Sequence, residues 1–596
     1  MHRGRDDFQT LSGSGYRMWS WRLALVDRLS SQQPMSSPDA RVTVLFNGEI
    51  YNHRALRSQL KAEGVTFRTD GDTEVVLEAY RRWGISCFQQ FEGMYAICVV
   101  DEDLQKIILG RDPLGIKPLY LCRGRDALWI SSEPKALFAA GAAAPALDRE
   151  ALSSYLLFQT VLGRKTLFRS IEKVPAGCLC TFSLTLLEPI ETRSTLPEQT
   201  LRSPKTYEEA RGIIREALLE SARLTFDTDL PFSFHLSGGL DSNLLVSLFR
   251  HLHPGRVAHC VSSLIEGEKD REWAYIRQFG VLHGCELDSA VVDSEAFFAT
   301  LDEVTYYLDE PAGDPGVVPQ FLVNKLCSDH GKIVVTGHGL DELFFGYIRN
   351  LAVGVLTEYG TEAIHPHSER FGLLPADTRA FFQGWEDYLE SMAKPEDAPV
   401  TLRYLRKLCR LDPFAPPNGD GETLRRDLQR LALDTHEALA REASSIGAFM
   451  LSAETRIQLP PLLQMEDRAS MRYTVEARVP FCHASVLNSA KGIPWLWKLH
   501  DGVPKGLIRD AFQDLLPPPV LSRKEKVGRP IPLNRWLDEP AGRPFRQQLE
   551  AKRELFRDLT SCDLLQRVRE NSRPHDRLLW GLLSLSRWMD LYRVSV

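Results

Sequence analysis

Residues 232–242 read FSFHLSGGLDS. A short apolar strand, Phe232 to Leu236, runs into two glycines and then opens a helix, and that order decides the fold of the region. Glycine lets the chain turn tightly, backbone amides and a helix N-terminus attract phosphate, and Ser237 and Ser242 add hydroxyl donors. A loop of this kind, with Gly238 and Gly239 at its bend, suits an anion. Asp241 would be repelled by bare phosphate, so its presence implies a Mg2+ ion bridging carboxylate and phosphate. The plainer alternative for the same residues is a tight structural turn.

Downstream, RVAHCVSSL (256–264), ELDSAVVD (286–293) and KIVVTGHGL (332–340) alternate with helical segments at 241–252, 270–283 and 294–307. Such alternation predicts a parallel sheet covered by helices on both faces. Loops at the carboxyl ends of neighbouring strands then converge on one crevice. The turn TGHGLDELFFGY (336–347) follows the last of these strands, which brings Asp341 and Glu342 near Asp241. Two carboxylates plus phosphate make a magnesium clamp; the plainer reading is a solvated helical turn. From about 345 onward the pattern is mainly helical, ending in RLLWGLLSLSRWMDLY (577–592), where Leu579, Leu582, Leu583 and Leu585 form a core stripe.

Upstream, residues 40–190 are sheet-rich: RVTVLFNGEI, MYAICVVDED, QKIILGRD, ALWISSE and CLCTFSL are short strands bounded by turns, with helices at 54–63 and 74–84. Apolar periodicity fails near 190–205, where Thr, Ser and Pro collect, and this marks a linker. The chain thus divides into 1–190, a linker at 191–205, and 206–596.

With 596 residues, 43% apolar, 25% charged and a net charge of −7, the composition is that of an ordinary globular protein. It shows no basic stripe of the kind that binds nucleic acid. Eleven cysteines without CxxC spacing suit free thiols in a reducing cytosol. No apolar run approaches a membrane span and no apolar segment follows the charged start, so the expectation is a cytoplasmic protein without a membrane anchor.

The succession FNGEIYNH, GRDPLGIKPLY, SSEPKAL, LSGGLDS, DEPAGDP, TGHGLDELFFGY, EARVPF and GRPIPLNRWL resembles the asparagine synthetase B family across nearly the whole chain. The resemblance implies an αββα sandwich of the class II glutamine amidotransferase type, followed by a parallel-sheet ATP-pyrophosphatase domain with a helical C-terminal part. It implies an ATP-dependent amide ligase in which a carboxylate is activated as an acyl-adenylate and an amine or ammonia displaces AMP. By the same resemblance Leu236, Ser237, Gly238, Gly239, Asp241, Ser242, Ser263, Thr336 and Gly337 bind ATP and pyrophosphate. Asp241 and Asp341 hold Mg2+, and Lys526, His338 and Glu342 are catalytic. Lys524 is the rival to Lys526 for stabilising phosphate charge. The assembly to expect is a homodimer.

Arg22, Asn47, Gly48, Glu49 and Asp72 match the family's glutamine pocket. The family's nucleophile is an N-terminal cysteine, however, and this chain begins Met1-His2; its first cysteine, Cys87, reads as a buried thiol. Either the glutaminase domain is a scaffold without its nucleophile, or the true start lies upstream. The synthetase half departs as well. His338 stands between two glycines where asparagine-forming relatives carry an acid, and Cys482-His483 follows ARVPF where they carry Leu-Asp. Ligand spacing around Cys482 does not support zinc. Relatives that form β-lactams or cyclise lasso peptides share both departures, so a specialised ligase or cyclase is the second reading and a nucleotide-binding regulatory subunit the third. A histidine with an ordinary pKa near 6.5 suits a general base for the amine; a hydrogen-bonded loop residue is the plainer role for His338.

Overall fold

The computed structural model describes residues 2–194, 203–266, 271–394, 398–414, 421–523, 531–570 and 577–596. The first half contains β1 (Asp7–Gly13), β2 (Tyr16–Arg22), β3 (Met35–Ser36), β4 (Val42–Ile50), β5 (Gly93–Asp101), β6 (Lys106–Arg111), β7 (Tyr120–Arg123), β8 (Leu128–Ser131), β9 (Glu172–Lys173), β10 (Cys178–Ser183) and β11 (Pro189–Ser194). Six of these form one sheet in the order β11-β10-β6-β5-β4-β3, and β8-β7-β9 form another. Its pairings are antiparallel.

The layering explains why β5, GMYAICVVD, is apolar at almost every position: both of its faces are covered. Tyr95, Ile97 and Val99 pack beneath the helices His53–Ala62 and Asp72–Trp83. Cys98 and Val100 face Leu119 and Leu121 from the second sheet. The helices Pro134–Ala139 and Arg149–Phe158 close the far side over Tyr120 and Cys122. The result is the four-layer αββα sandwich that the resemblance implied.

The β1–β2 hairpin was not foreseen, although its turn carries Ser14-Gly15, with Gly15 at φ +83°, the left-handed value that suits glycine at the third position of a type II turn. β11 also runs to Ser194, four residues into the expected linker; residues 195–202 lie outside the described residues.

The second half contains β12 (Phe232–His235), β13 (His259–Ile265), β14 (Glu286–Val292), β15 (Ile333–Val335) and β16 (Glu476–Arg478), in the order β14-β13-β12-β15-β16. All neighbours are parallel. Phe234, Cys260 and Val335 pack on one side of the sheet against Leu244 and Ile276, while Val261 and Val334 pack on the other against Val323 and Cys327. The chain winds outward from β12 through β13 to β14, then returns to lay β15 on the other flank of β12. That reversal opens a crevice at the carboxyl ends of β12 and β15. The C-terminal helix Arg577–Leu591 buries Leu579, Leu582, Leu583 and Leu585, the stripe expected from sequence.

Buried charges join the two halves. Arg468, on the helix Leu459–Arg472, lies 2.9 Å from Glu133 and 3.0 Å from Asp309, and Lys135 reaches Asp309 at 2.8 Å. Arg478 at the end of β16 pairs with Glu49 of β4 at 2.5 Å. Removing one partner from pairs this buried typically costs about 3–5 kcal/mol, because the other charge is stranded in low dielectric.

Candidate active site

At the end of β12, Leu236 is fixed by its amide to the Val261 carbonyl at 3.0 Å, so the next residues leave the sheet together. Ser242 Oγ accepts the Ser237 amide at 3.0 Å, and Asn243 Nδ2 donates to the Gly239 carbonyl at 2.7 Å. These bonds hold the SGGLDS loop in one shape from inside. Gly239 begins the helix Leu240–Leu252 with no side-chain cap, leaving the helix N-terminus facing the crevice. The Gly238 amide is not free: it donates to Glu272 Oε1 at 2.9 Å, and Glu272 is held by Arg523 at 2.6 Å. A carboxylate and its guanidinium thus stand where an anion was expected, because an amide turned into a partly buried loop needs an acceptor.

The loop after β15 meets this one closely. A Cβ on Gly337 would sit 3.1 Å from the Cβ of Asp241, a tight contact that brings the two loops together most closely at a glycine. Gly339, at φ +101°, would bring a Cβ to 2.6 Å from Cys482 Sγ, which excludes other residues on both counts. Thr336 is buried and its amide donates to the Arg478 carbonyl at 3.0 Å. Ser263 is buried near the carboxyl end of β13.

Asp241 and Asp341 do come together, and a residue unforeseen from sequence lies between them. Lys505 Nζ contacts the Oδ1 atoms of both, at 2.6 Å in the case of Asp341. The ammonium is almost wholly buried; that burial works against its charge, and the two carboxylates outweigh it and raise its pKa. Two oxygen donors focused on one cationic point also have the hard chemistry that suits Mg2+. Glu342 does not join them. It accepts a hydrogen bond from the Tyr347 hydroxyl, and burial followed by the charge of Asp341 raises its carboxyl to about 7. Lys526 and its rival Lys524 lie outside the described residues, although the neighbouring Arg523 donates to the Gly238 carbonyl at 2.5 Å.

The side chain of His338 turns into the same crevice, where its Nε2 lies 3.1 Å from Oε2 of Glu466. Glu466 is itself gripped by Gln320 and by Asn324, whose Nδ2 donates to Oε1 at 3.1 Å, with His235 at 3.7 Å. Burial would raise the Glu466 carboxyl, but His235, His338 and Asn324 pull it down to about 2, so it stays ionised. Its charge in turn raises His338 above the ordinary histidine value, against the desolvation that lowers it. The other unusual histidine goes elsewhere. His483 bonds Ser485 at 2.8 Å, lies 3.6 Å from Glu92 across the junction with the first half, and burial lowers it to about 4.

In the N-terminal half, Arg22, Asn47, Gly48, Glu49 and Asp72 all line one cavity of about 650 Å³. The polar groups of Arg22, Asp72 and Glu49 are engaged by the fold, whereas Asn47 Nδ2 is buried and makes no hydrogen bond. Arg22 donates to the carbonyls of Val26 and Asp27 at 2.9 and 3.0 Å, and Asp72 accepts the Ile50 amide at 3.2 Å. Burial raises Asp72 to about 6. Burial also pushes Glu49 well up, in spite of Arg478, a guanidinium it shares with Glu476. The thiol on the cavity wall is Cys98, not Cys87, and burial holds it protonated, at about 12. Cys87 is buried beneath the opposite face of the sheet and its thiol is likewise pushed up.

Comparison with known proteins decides the family. The asparagine synthase model matches residues 213–590, and a glutamine amidotransferase domain model matches 1–189. The chain belongs to the asparagine synthase family. It is therefore a carbon–nitrogen ligase and, in general terms, an ATP-dependent amide ligase. Asparagine synthetase [glutamine-hydrolyzing] 1 of Bacillus subtilis is 28% identical over 99% of this chain and 92% of its own length. A putative asparagine synthetase of Mycobacterium tuberculosis is 29% identical over the same shares. Amidase chry2 of Gibberella zeae is 28% identical over 55% of this chain and 50% of its own. No helix among the described residues is long and apolar enough to cross a membrane.

Proposed function

We propose that the crevice between β12 and β15 activates a carboxylate by adenylation and then passes the acyl group to an amine whose proton is taken by His338. In the first step a carboxylate oxygen attacks the α-phosphorus of ATP, the bond from that phosphorus to its bridging oxygen breaks, and pyrophosphate leaves. The SGGLDS amides, Ser237 and Ser242 would hold the pyrophosphate, with Glu272 yielding the Gly238 amide. Thr336 and Gly337 would face the nucleotide, and Lys526 would neutralise phosphate charge together with Lys505. Asp241 and Asp341 would hold Mg2+, which neutralises phosphate oxygens when bound.

In the second step the amine nitrogen attacks the acyl carbon, AMP leaves with the electron pair of the broken bond, and the nitrogen sheds a proton. The observation that carries this reading is the 3.1 Å contact between His338 and the ionised, almost fully buried Glu466. A carboxylate so placed strengthens the imidazole as a base and stabilises the imidazolium it becomes. We further propose that the chain up to Ser194, four residues past the expected boundary at 190, is an amidotransferase-like domain, and that a synthetase domain spans 206–596. The cavity around Arg22 and Asp72 then corresponds to a glutamine pocket.

Carboxylate-dependent exchange of labelled pyrophosphate into ATP, run against a panel of carboxylic acids, tests the reading. One acid should support exchange, and amide formation with ammonia or an amine should release AMP. Formation of ADP dependent on that acid would overturn it.

A further inference from the structure

At the opposite end of the parallel sheet, three potential ligands converge that the crevice does not use. His259 opens β13, Asp288 lies on the adjacent β14, and His330 sits in the turn between the helix Val317–Cys327 and β15. The crevice lies beyond the other end of β13, about 20 Å away by the length of such a strand. The register sets His259 opposite Glu286, so Asp288 lies diagonally across on the same face of the sheet. One ligand atom from each of His259, Asp288 and His330 lies within 4.8 Å of the other two.

We propose that His259, Asp288 and His330 bind one divalent first-row transition ion, zinc being the best match. Asp288 Oδ2 is 3.4 Å from His259 Nε2 and 3.0 Å from His330 Nε2. Ligands about 2.0–2.1 Å from a tetrahedral zinc ion stand roughly 3.3 Å apart, close to these separations, and the His259 and His330 rings, packed with centroids 3.6 Å apart, would open slightly to aim both nitrogens at the ion. Two imidazoles and one carboxylate form a donor set that zinc accepts and that magnesium, which prefers oxygen, does not.

Two further observations point to a ligand. His259 Nε2 is buried and makes no hydrogen bond, a costly condition for a ring nitrogen. The other nitrogen of that ring, Nδ1, faces Glu286 Oε2 at 3.5 Å. A carboxylate behind a histidine favours the proton on the near nitrogen and leaves the lone pair on the far one, the arrangement common at metal-bound imidazoles. Asp288 is half exposed and His330 a third exposed, so an ion can enter and water can complete its coordination. A bound ion would tie β13 and β14 to the turn that leads into β15.

Zinc titration of the full-length protein, stripped with a chelator and kept in excess magnesium, tests the proposal by calorimetry. One saturable site of micromolar affinity or tighter is expected, with a rise in melting temperature. His330→Gln changes a partly exposed turn residue, so it should keep the zinc-free melting temperature. It should weaken binding by more than about 10-fold, and Glu286→Gln should weaken it by about 10-fold. Cobalt(II) should show tetrahedral visible bands in the unaltered protein and lose them in His330→Gln. Absence of a saturable site, or affinity in His259→Gln and His330→Gln equal to that of the unaltered protein, would overturn the proposal.

Discussion

The crevice and the N-terminal cavity each gather acids, a basic group and small residues, yet their side chains are engaged differently. In the crevice, Asp241 and Asp341 converge on one ammonium, and Glu466 is held by Gln320 and Asn324 so that it presents a charge to His338. In the cavity, Arg22 is spent on carbonyls, Asp72 on a backbone amide and Glu49 on Arg478 across the junction. Matching residue identities therefore do not establish chemical readiness. What distinguishes the two regions is where each polar group finds its partner.

The sharpest way to break this comparison is to remove one acid from each region. Asp241→Ala should lower pyrophosphate exchange by roughly 100- to 1,000-fold, the usual loss when a charge-stabilising group leaves a preorganised site. Asp72→Asn should leave exchange within about twofold, since Asp72 stabilises no charge on ATP. Equal losses would erase the distinction between the regions.

A smaller effect is expected from Glu466→Gln, because the base itself remains. Amide formation should fall by about 100-fold, near the lower end for impaired proton transfer. Its pH dependence supplies the sign. His338 is raised above 6.5, so amide formation by the unaltered protein should climb as pH passes through that raised value, where the ring becomes neutral. In Glu466→Gln the rise should move to lower pH. For stability the direction reverses: the His338–Glu466 contact contributes fully below about pH 6.5 and is lost as pH rises through the raised value. Thermal melts of His338→Gln against the unaltered protein across pH 5–9 read that loss. The smallest effect belongs to two buried thiols, Cys98 on the cavity wall and Cys87 beneath the opposite face of the sheet: Cys87→Ala and Cys98→Ala should leave any glutamate release from glutamine unchanged, because buried protonated thiols are not nucleophiles.

The sequence was most legible where periodicity and glycine spacing act locally. The alternating strands and helices of the second half, and the loops after Leu236 and Val335, fall where the pattern placed them. β16 was not legible, because three residues carry no periodicity and gain their strand character only by pairing with β15. Lys505 was missed for a similar reason: one lysine in GVPKGLIRD gives no hint that it reaches an aspartate 264 residues earlier. Glu466 left a weak signal, since the run Glu466-Asp467-Arg468 lies entirely on buried positions of its helix. Consecutive charges inside an apolar helix require partners, and the partners were distant in sequence. His338 and His483 looked equivalent as replacements for acids, and only the packing separates them.

The most direct measurement compares two assays on one variant, His338→Ala. Pyrophosphate exchange reads adenylation alone, whereas amide formation also needs the proton taken from the amine. The account predicts exchange within about threefold of the unaltered protein and amide formation slowed by roughly 100- to 10,000-fold. Parallel loss in both assays would place His338 in adenylation, and no loss in either would leave it a loop residue; both results contradict its role as the base.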